Sequence, residues 1–160
     1  GEPGTVVNHA PVGDTDLKEY SGSAQRFGQT FKATGTGLAG VDIIYADGNA
    51  SPRPFPVKFQ LYDSPGGKAI GPSKTCYGLP LTYQARASAI WKRGEVPLTP
   101  GKTYYIEWTF PTSVNSWILN ESLPGEAYRD GKILSGKDLA MSIAEYEPIK
   151  TNKAGIKVSK

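Results

Sequence analysis

From Thr103 to Phe110 the chain alternates without a break: Tyr104, Ile106, Trp108 and Phe110 fall on one parity, Thr103, Tyr105, Glu107 and Thr109 on the other. That is the period of a half-buried strand, and the Pro100-Gly101 pair ahead of it supplies the turn that feeds it. The same period recurs upstream. Phe27, Gln29 and Phe31 alternate with Gly28, Thr30 and Lys32, and Val41, Ile43 and Tyr45 share a parity in a strand predicted over Leu38 to Ala46. Asp47-Gly48-Asn49 is a turn signal that ends it. Val57, Phe59 and Leu61 then oppose Lys58, Gln60 and Tyr62, and Ser64-Pro65-Gly66-Gly67 reverses the chain. Between Thr82 and Trp91, Ala85, Ala87, Ala89 and Trp91 form one face and Gln84, Arg86, Ser88 and Ile90 the other; alanines on a core parity imply close approach of a facing sheet.

Prolines punctuate this pattern. Ser51-Pro52-Arg53-Pro54-Phe55-Pro56 reads as a loop, because proline withdraws ladder donors, and Pro111 to Ser116 reads as a turn leading into Trp117-Ile118-Leu119. Ala127 to Asp130 and Asp138 to Tyr146 complete the set, the last with Leu139, Met141 and Ile143 inward. No segment of useful length has a helical period and nothing repeats, so the predicted fold is all-β: a two-sheet antiparallel β-sandwich, jelly-roll-like. Residues 1–22 form an N-terminal extension or first edge strand, with Thr5-Val6-Val7 its one strand candidate, 23–147 the sandwich, and 148–160 a Lys-rich tail or linker.

Composition narrows the function classes. A chain of 160 residues is long enough to bury a core as one cooperative monomer, and 19 glycines with 13 prolines suit a fold of many short strands and turns. No apolar run approaches the length of a membrane span. The net charge of +3 owes its sign to Lys150, Lys153, Lys157 and Lys160; without them 14 basic residues face 15 acidic ones. The body is near neutral, with no basic stripe interleaved with aromatics, which argues against a nucleic-acid partner. Cys76 is the sole cysteine, so no disulfide forms within the chain, and its neighbours offer no activating base. A start at Gly1 rather than Met reads as an excised segment of a longer protein.

The succession Gln25-x-Phe27-x-Gln29-x-Phe31, Val41-x-Ile43, Val57-x-Phe59-x-Leu61-x-Asp63, Glu95-Val96-x-Leu98-x-Pro100-Gly101-x-Thr103-Tyr104-Tyr105-Ile106, Tyr128-x-x-Gly131 and Asp138-Leu139-Ala140 resembles the accessory β-sandwich modules found beside catalytic domains in secreted bacterial proteins, of the galactose-binding or carbohydrate-binding jelly-roll type. The likeness spans about residues 24 to 147. It rests mostly on core and turn positions, which report a fold more than a ligand. What it implies is a non-catalytic role outside the cell or at its surface, next to another domain of the same polypeptide, with glycan binding as the commonest use.

The residues themselves offer little catalytic chemistry. His9 is the lone histidine and no nucleophile elbow accompanies it, and one His with one Cys does not make a zinc site. A glycosidase would need two facing carboxylates, for which Glu95, Glu107, Glu121, Glu126 and Asp130 are the candidates; none stands in a distinctly apolar pocket sequence, and Glu107 falls on the outer face of its strand. No cofactor is expected. A structural calcium is the one metal the residue types suit, through Asp14-Thr15-Asp16 or Asp47-Gly48-Asn49, though turn chemistry accounts for both. Aromatics are the main functional signal. Sugar rings stack on Tyr and Trp while polar neighbours bond their hydroxyls, and Tyr105, Glu107, Asn115, Trp117, Tyr128 and Arg129 have that composition. A hairpin through Pro111 to Ser116 would bring the first four together. Tyr104 and Trp108 are assigned to the core. The expected function is therefore a carbohydrate-binding accessory module; the alternative is a structural, spacer or adhesion module that positions a neighbouring domain without binding glycan.

Overall fold

The alternating segments are taken up by two large antiparallel sheets. The structure is a computed structural model and describes residues 6–7, 19–20, 22–120, 125–148, 150–151 and 157–158. His9, the Asp14-Thr15-Asp16 pair and Glu121 lie outside the described residues. Along the chain the strands are β1 (Val6–Val7), β2 (Glu19–Tyr20), β3 (Ala24–Lys32), β4 (Gly37–Tyr45), β5 (Pro56–Tyr62) and β6 (Ala69–Tyr77). Then come β7 (Leu79–Pro80), β8 (Ala85–Ile90), β9 (Thr103–Val114), β10 (Trp117–Asn120) and β11 (Ala127–Arg129). The last are β12 (Lys132–Leu134), β13 (Lys137–Leu139), β14 (Met141–Tyr146), β15 (Lys150–Thr151) and β16 (Lys157–Val158). There is no helix among the described residues.

One sheet has six strands in the order β12-β11-β3-β9-β5-β6 and the other five in the order β1-β14-β4-β8-β7; β13-β10-β2 and β15-β16 form smaller sheets. Every ladder is antiparallel. The two large sheets share one apolar core. Phe27, Phe31, Val57, Phe59, Leu61, Ile106, Trp108 and Phe110 from the first meet Val41, Ile43, Met141 and Ile143 from the second, with Ala85, Ala87 and Ala89 lying among these rings as the small side chains their parity predicts. Gln29 points inward with Phe27 and Phe31, and burial of its amide is offset because Nε2 donates to the buried Asp138 carboxylate at 2.8 Å while Oε1 accepts from Leu139 N–H at 2.9 Å.

Two proline-bearing segments depart from the sequence expectation. The turn predicted at Pro111 is absent: β9 runs on to Val114. Register slips where Ala24 faces Val114 but Arg26 faces Thr109, so Pro111 sits in an irregularity where its missing N–H costs no ladder bond. Likewise β6, which the polar and proline-containing stretch around Pro72 conceals, is the outer strand of the six-stranded sheet. Its register shifts between the pairs Phe59–Lys74 and Leu61–Ile70, and the Gln60 amide donates to Ile70 and Gly71 carbonyls there. Proline is tolerated at a bulge on an edge.

Among the described residues of the two ends, the strands pair differently. β1 adds to the five-stranded sheet at its edge, through β14. β15 and β16 pair with one another. Deleting residues 149–160 is therefore expected to leave the melting temperature within a few degrees of the intact chain in a thermal melt; a large drop would mean that this segment is part of the sandwich.

Candidate functional site

The outer face of the six-stranded sheet gathers polar and aromatic side chains because alternation sends every second residue of four adjacent strands to the same side. Ladder pairing then aligns them in rows. Tyr128, Gly28, Glu107 and Gln60 form one row, Thr30, Tyr105 and Tyr62 the next, and Arg26, Thr109 and Lys58 a third.

Tyr105 is the organising side chain. Its ring lies over Gly28, where a Cβ would overlap the Tyr105 hydroxyl, so glycine is what lets an aromatic ring lie against the backbone of β3. Tyr128 packs edge-on at 5.3 Å between ring centroids, and Tyr62 flanks the ring at 6.2 Å with a 41° tilt. The Tyr105 hydroxyl donates to Glu107 Oε2 at 2.9 Å, and Arg26 Nε approaches the same oxygen at 3.5 Å. Burial first, and then the adjacent Glu107 carboxylate, push the Tyr105 phenol well above the ordinary tyrosine range. It is held as an O–H donor that fixes Glu107 in place.

Beside this arrangement lies an open cleft of about 440 Å³. Arg26, Tyr62, Tyr105 and Glu107 line it, and the turn glycines Gly66, Gly67 and Gly131 with Pro65 complete its walls. Side-chain exposure is 45% for Arg26 and 16% for Glu107, so both reach the opening. Gly131 lies so near the Arg26 guanidinium that a Cβ there would meet Nη2 at 2.8 Å, and its φ of +78° is in the region that favours glycine.

Of the six residues expected from the sequence, the structure brings together Tyr105, Glu107 and Tyr128. Tyr105 is only 2% exposed and so supports the cleft rather than presenting a free stacking face. Asn115, Trp117 and Arg129 are elsewhere. Because β9 does not turn at Pro111, Asn115 lies ten residues beyond Tyr105, roughly 30 Å of extended chain away. There its backbone exchanges hydrogen bonds with Ala46 at 2.8 and 2.9 Å, linking the end of β9 to the end of β4. Trp117 is 8% exposed and forms a second small core with Ile44, Ala46 and Ala140. Arg129 shares the parity of the buried Ala127, opposite to Tyr128, and its guanidinium lies against Gly22.

Sequence reasoning missed Arg26 and Tyr62. Both had the outward parity that could have marked them, but nothing local places β5 and β3 on either side of β9. Asp47, the calcium candidate among the described residues, has its carboxylate committed to internal donors. Oδ1 accepts from Asn49 N–H at 3.1 Å, and Oδ2 from Arg53 N–H and Nε at 3.0 Å each. Burial pushes this carboxyl up, yet the Arg53 and Asn49 donors outweigh it and hold it below the ordinary aspartate range. Among the described residues no cluster of three or more His, Cys, Asp or Glu side chains could hold a metal ion.

No protein-family model matches this chain, and no curated protein matches it. That leaves the geometry of the outer sheet face to indicate function.

Proposed function

We propose that this chain is a non-catalytic carbohydrate-binding module of a larger secreted bacterial protein, working outside the cell or at its surface, with its glycan site on the outer face of the six-stranded sheet. The observation that carries this reading is the meeting of Tyr62 and Tyr105 with the Arg26–Glu107 pair in one open cleft. A ligand rich in hydroxyls needs donors and acceptors side by side next to an apolar ring face, and this cleft offers all three. Among the described lining residues Glu107 is the only carboxylate, whereas glycoside hydrolysis calls for two facing each other. A jelly-roll-like sandwich is the scaffold this reading assumes.

Affinity electrophoresis against a panel of plant, algal and host polysaccharides tests it. The wild-type chain should be retarded by at least one of them, and Tyr62→Ala, which removes the half-exposed ring, should migrate freely with a melting temperature within a few degrees of wild type.

A second reading has its own support. Tyr77 and Tyr83 are 70% and 66% exposed, with Leu79 and Leu81 between them also exposed, which is an uncommon concentration of large apolar groups on one edge. That edge suits a module that positions a neighbouring domain. A wild-type chain retarded by nothing in the panel would favour it.

A further inference from the structure

We infer that the cleft selects uncharged sugars carrying adjacent hydroxyls and rejects uronate or sulfated glycans, an inference that rests on the glycan-binding reading above. Arg26 and Glu107 enter the opening as a matched pair, so the cleft presents one donor cluster and one acceptor with no surplus charge. Glu107 Oε2 is taken by the Tyr105 hydroxyl and Arg26 Nε, while Oε1 and both Arg26 Nη groups have no hydrogen-bond partner among the described residues. A hydroxyl can accept from Arg26 Nη and its neighbour on the same ring can donate to Glu107 Oε1; both charged groups then gain a bond without separating from each other. A ligand carboxylate cannot use Oε1, which only accepts. Seated on the Arg26 Nη groups, it would set a second carboxylate beside the partly buried Glu107 with a single guanidinium to balance both.

The flanking turns point the same way. Asp63 precedes the Pro65-Gly66-Gly67 wall and Asp130 precedes Gly131, so an acidic residue adjoins each of the two turns that line the cleft. Asp130 Oδ1 accepts from the Arg26 N–H at 3.2 Å, and Asp63 Oδ1 from the Lys68 N–H at 2.8 Å, which holds both in place. Lys58 lies in the same row as Arg26 but is separated from it by Thr109, with β9 between their strands.

The test compares wild type, Glu107→Gln and Arg26→Gln by affinity electrophoresis at one pH and ionic strength. The neutral gels contain galactomannan, xyloglucan or mixed-linkage β-glucan, and the acidic ones alginate, polygalacturonate or a sulfated galactan. Wild type should be retarded in at least one neutral gel and in none of the acidic ones. Glu107→Gln should weaken neutral binding by roughly tenfold or more and gain retardation in acidic gels, because Arg26 is then uncompensated. Arg26→Gln, at a half-exposed position that tolerates substitution, should lose neutral binding to a similar degree and gain nothing acidic, which keeps the comparison decisive even if the first variant folds poorly. Wild type held by acidic polymers as strongly as by neutral ones overturns the selectivity while glycan binding stands; wild type held by neither overturns both. Neutral binding unchanged in both variants removes the Arg26–Glu107 pair from the site and with it this inference.

Discussion

Trp108→Ala is expected to destabilise the domain by about 3–5 kcal/mol, a large part of the stability of a domain this size. Trp108 stands in β9, the strand that β3 and β5 flank, in register with Phe27 on one side and Phe59 on the other. Its ring lies 6.5 Å from that of Phe59 and is buried in the shared core. Alanine there leaves a cavity between two sheets whose backbones are held by ladders and cannot close over it. Trp108→Phe should cost much less, and for a second reason: the Trp108 Nε1–H is buried without a hydrogen-bond partner among the described residues, so phenylalanine also removes an unsatisfied donor. Trp117→Ala should lower the melting temperature too, since that ring covers Ile44, Ala46 and Ala140. Denaturant and thermal unfolding of the three variants check the order. A Trp108→Ala protein that melts beside wild type would contradict the placement of this ring.

Gly28→Ala is expected to abolish polysaccharide retention and to cost about 1–3 kcal/mol of stability, through one added methyl group. The new Cβ would overlap both the hydroxyl and the ring carbons of Tyr105, which must swing off β3. Its hydrogen bond to Glu107 goes with it, and so does the floor of the cleft. The site is then lost without any change to a residue that would touch a ligand. Tyr105→Ala placed in the same chain should restore part of the stability but none of the binding, a non-additive pair that marks direct contact. Gly28→Ala with retention intact on a polysaccharide that holds wild type would show that Tyr105 does not shape the cleft.

Much of the scaffold was legible because strand alternation is a local property. Phe27, Phe31, Val57, Phe59, Leu61, Ile106 and Trp108 were assigned inward from parity, and all are buried in the common core. Ala85, Ala87 and Ala89 likewise mark a buried face. Proline was read less well. Its effect depends on whether its position would have made a ladder bond, and only register shows that Pro111 and Pro72 sit at irregularities.

The sequence by itself thus determined an all-β chain, the inward face of most long strands, and three of the residues that meet on the outer face: Tyr105, Glu107 and Tyr128. Tertiary structure decided their company. Arg26 and Tyr62 join them because β3 and β5 both pair with β9, and Tyr128 because β11 pairs with β3, contacts between segments far apart in the chain. It also separated Asn115, Trp117 and Arg129 from that group, through a strand that continues past Pro111 and a parity that turns Arg129 away. Side-chain period follows from the geometry of one strand, whereas strand order follows from which pairing buries the most apolar surface across the whole domain. A cleft assembled from four strands is therefore a property of the sheet, and no single stretch of the sequence contains it.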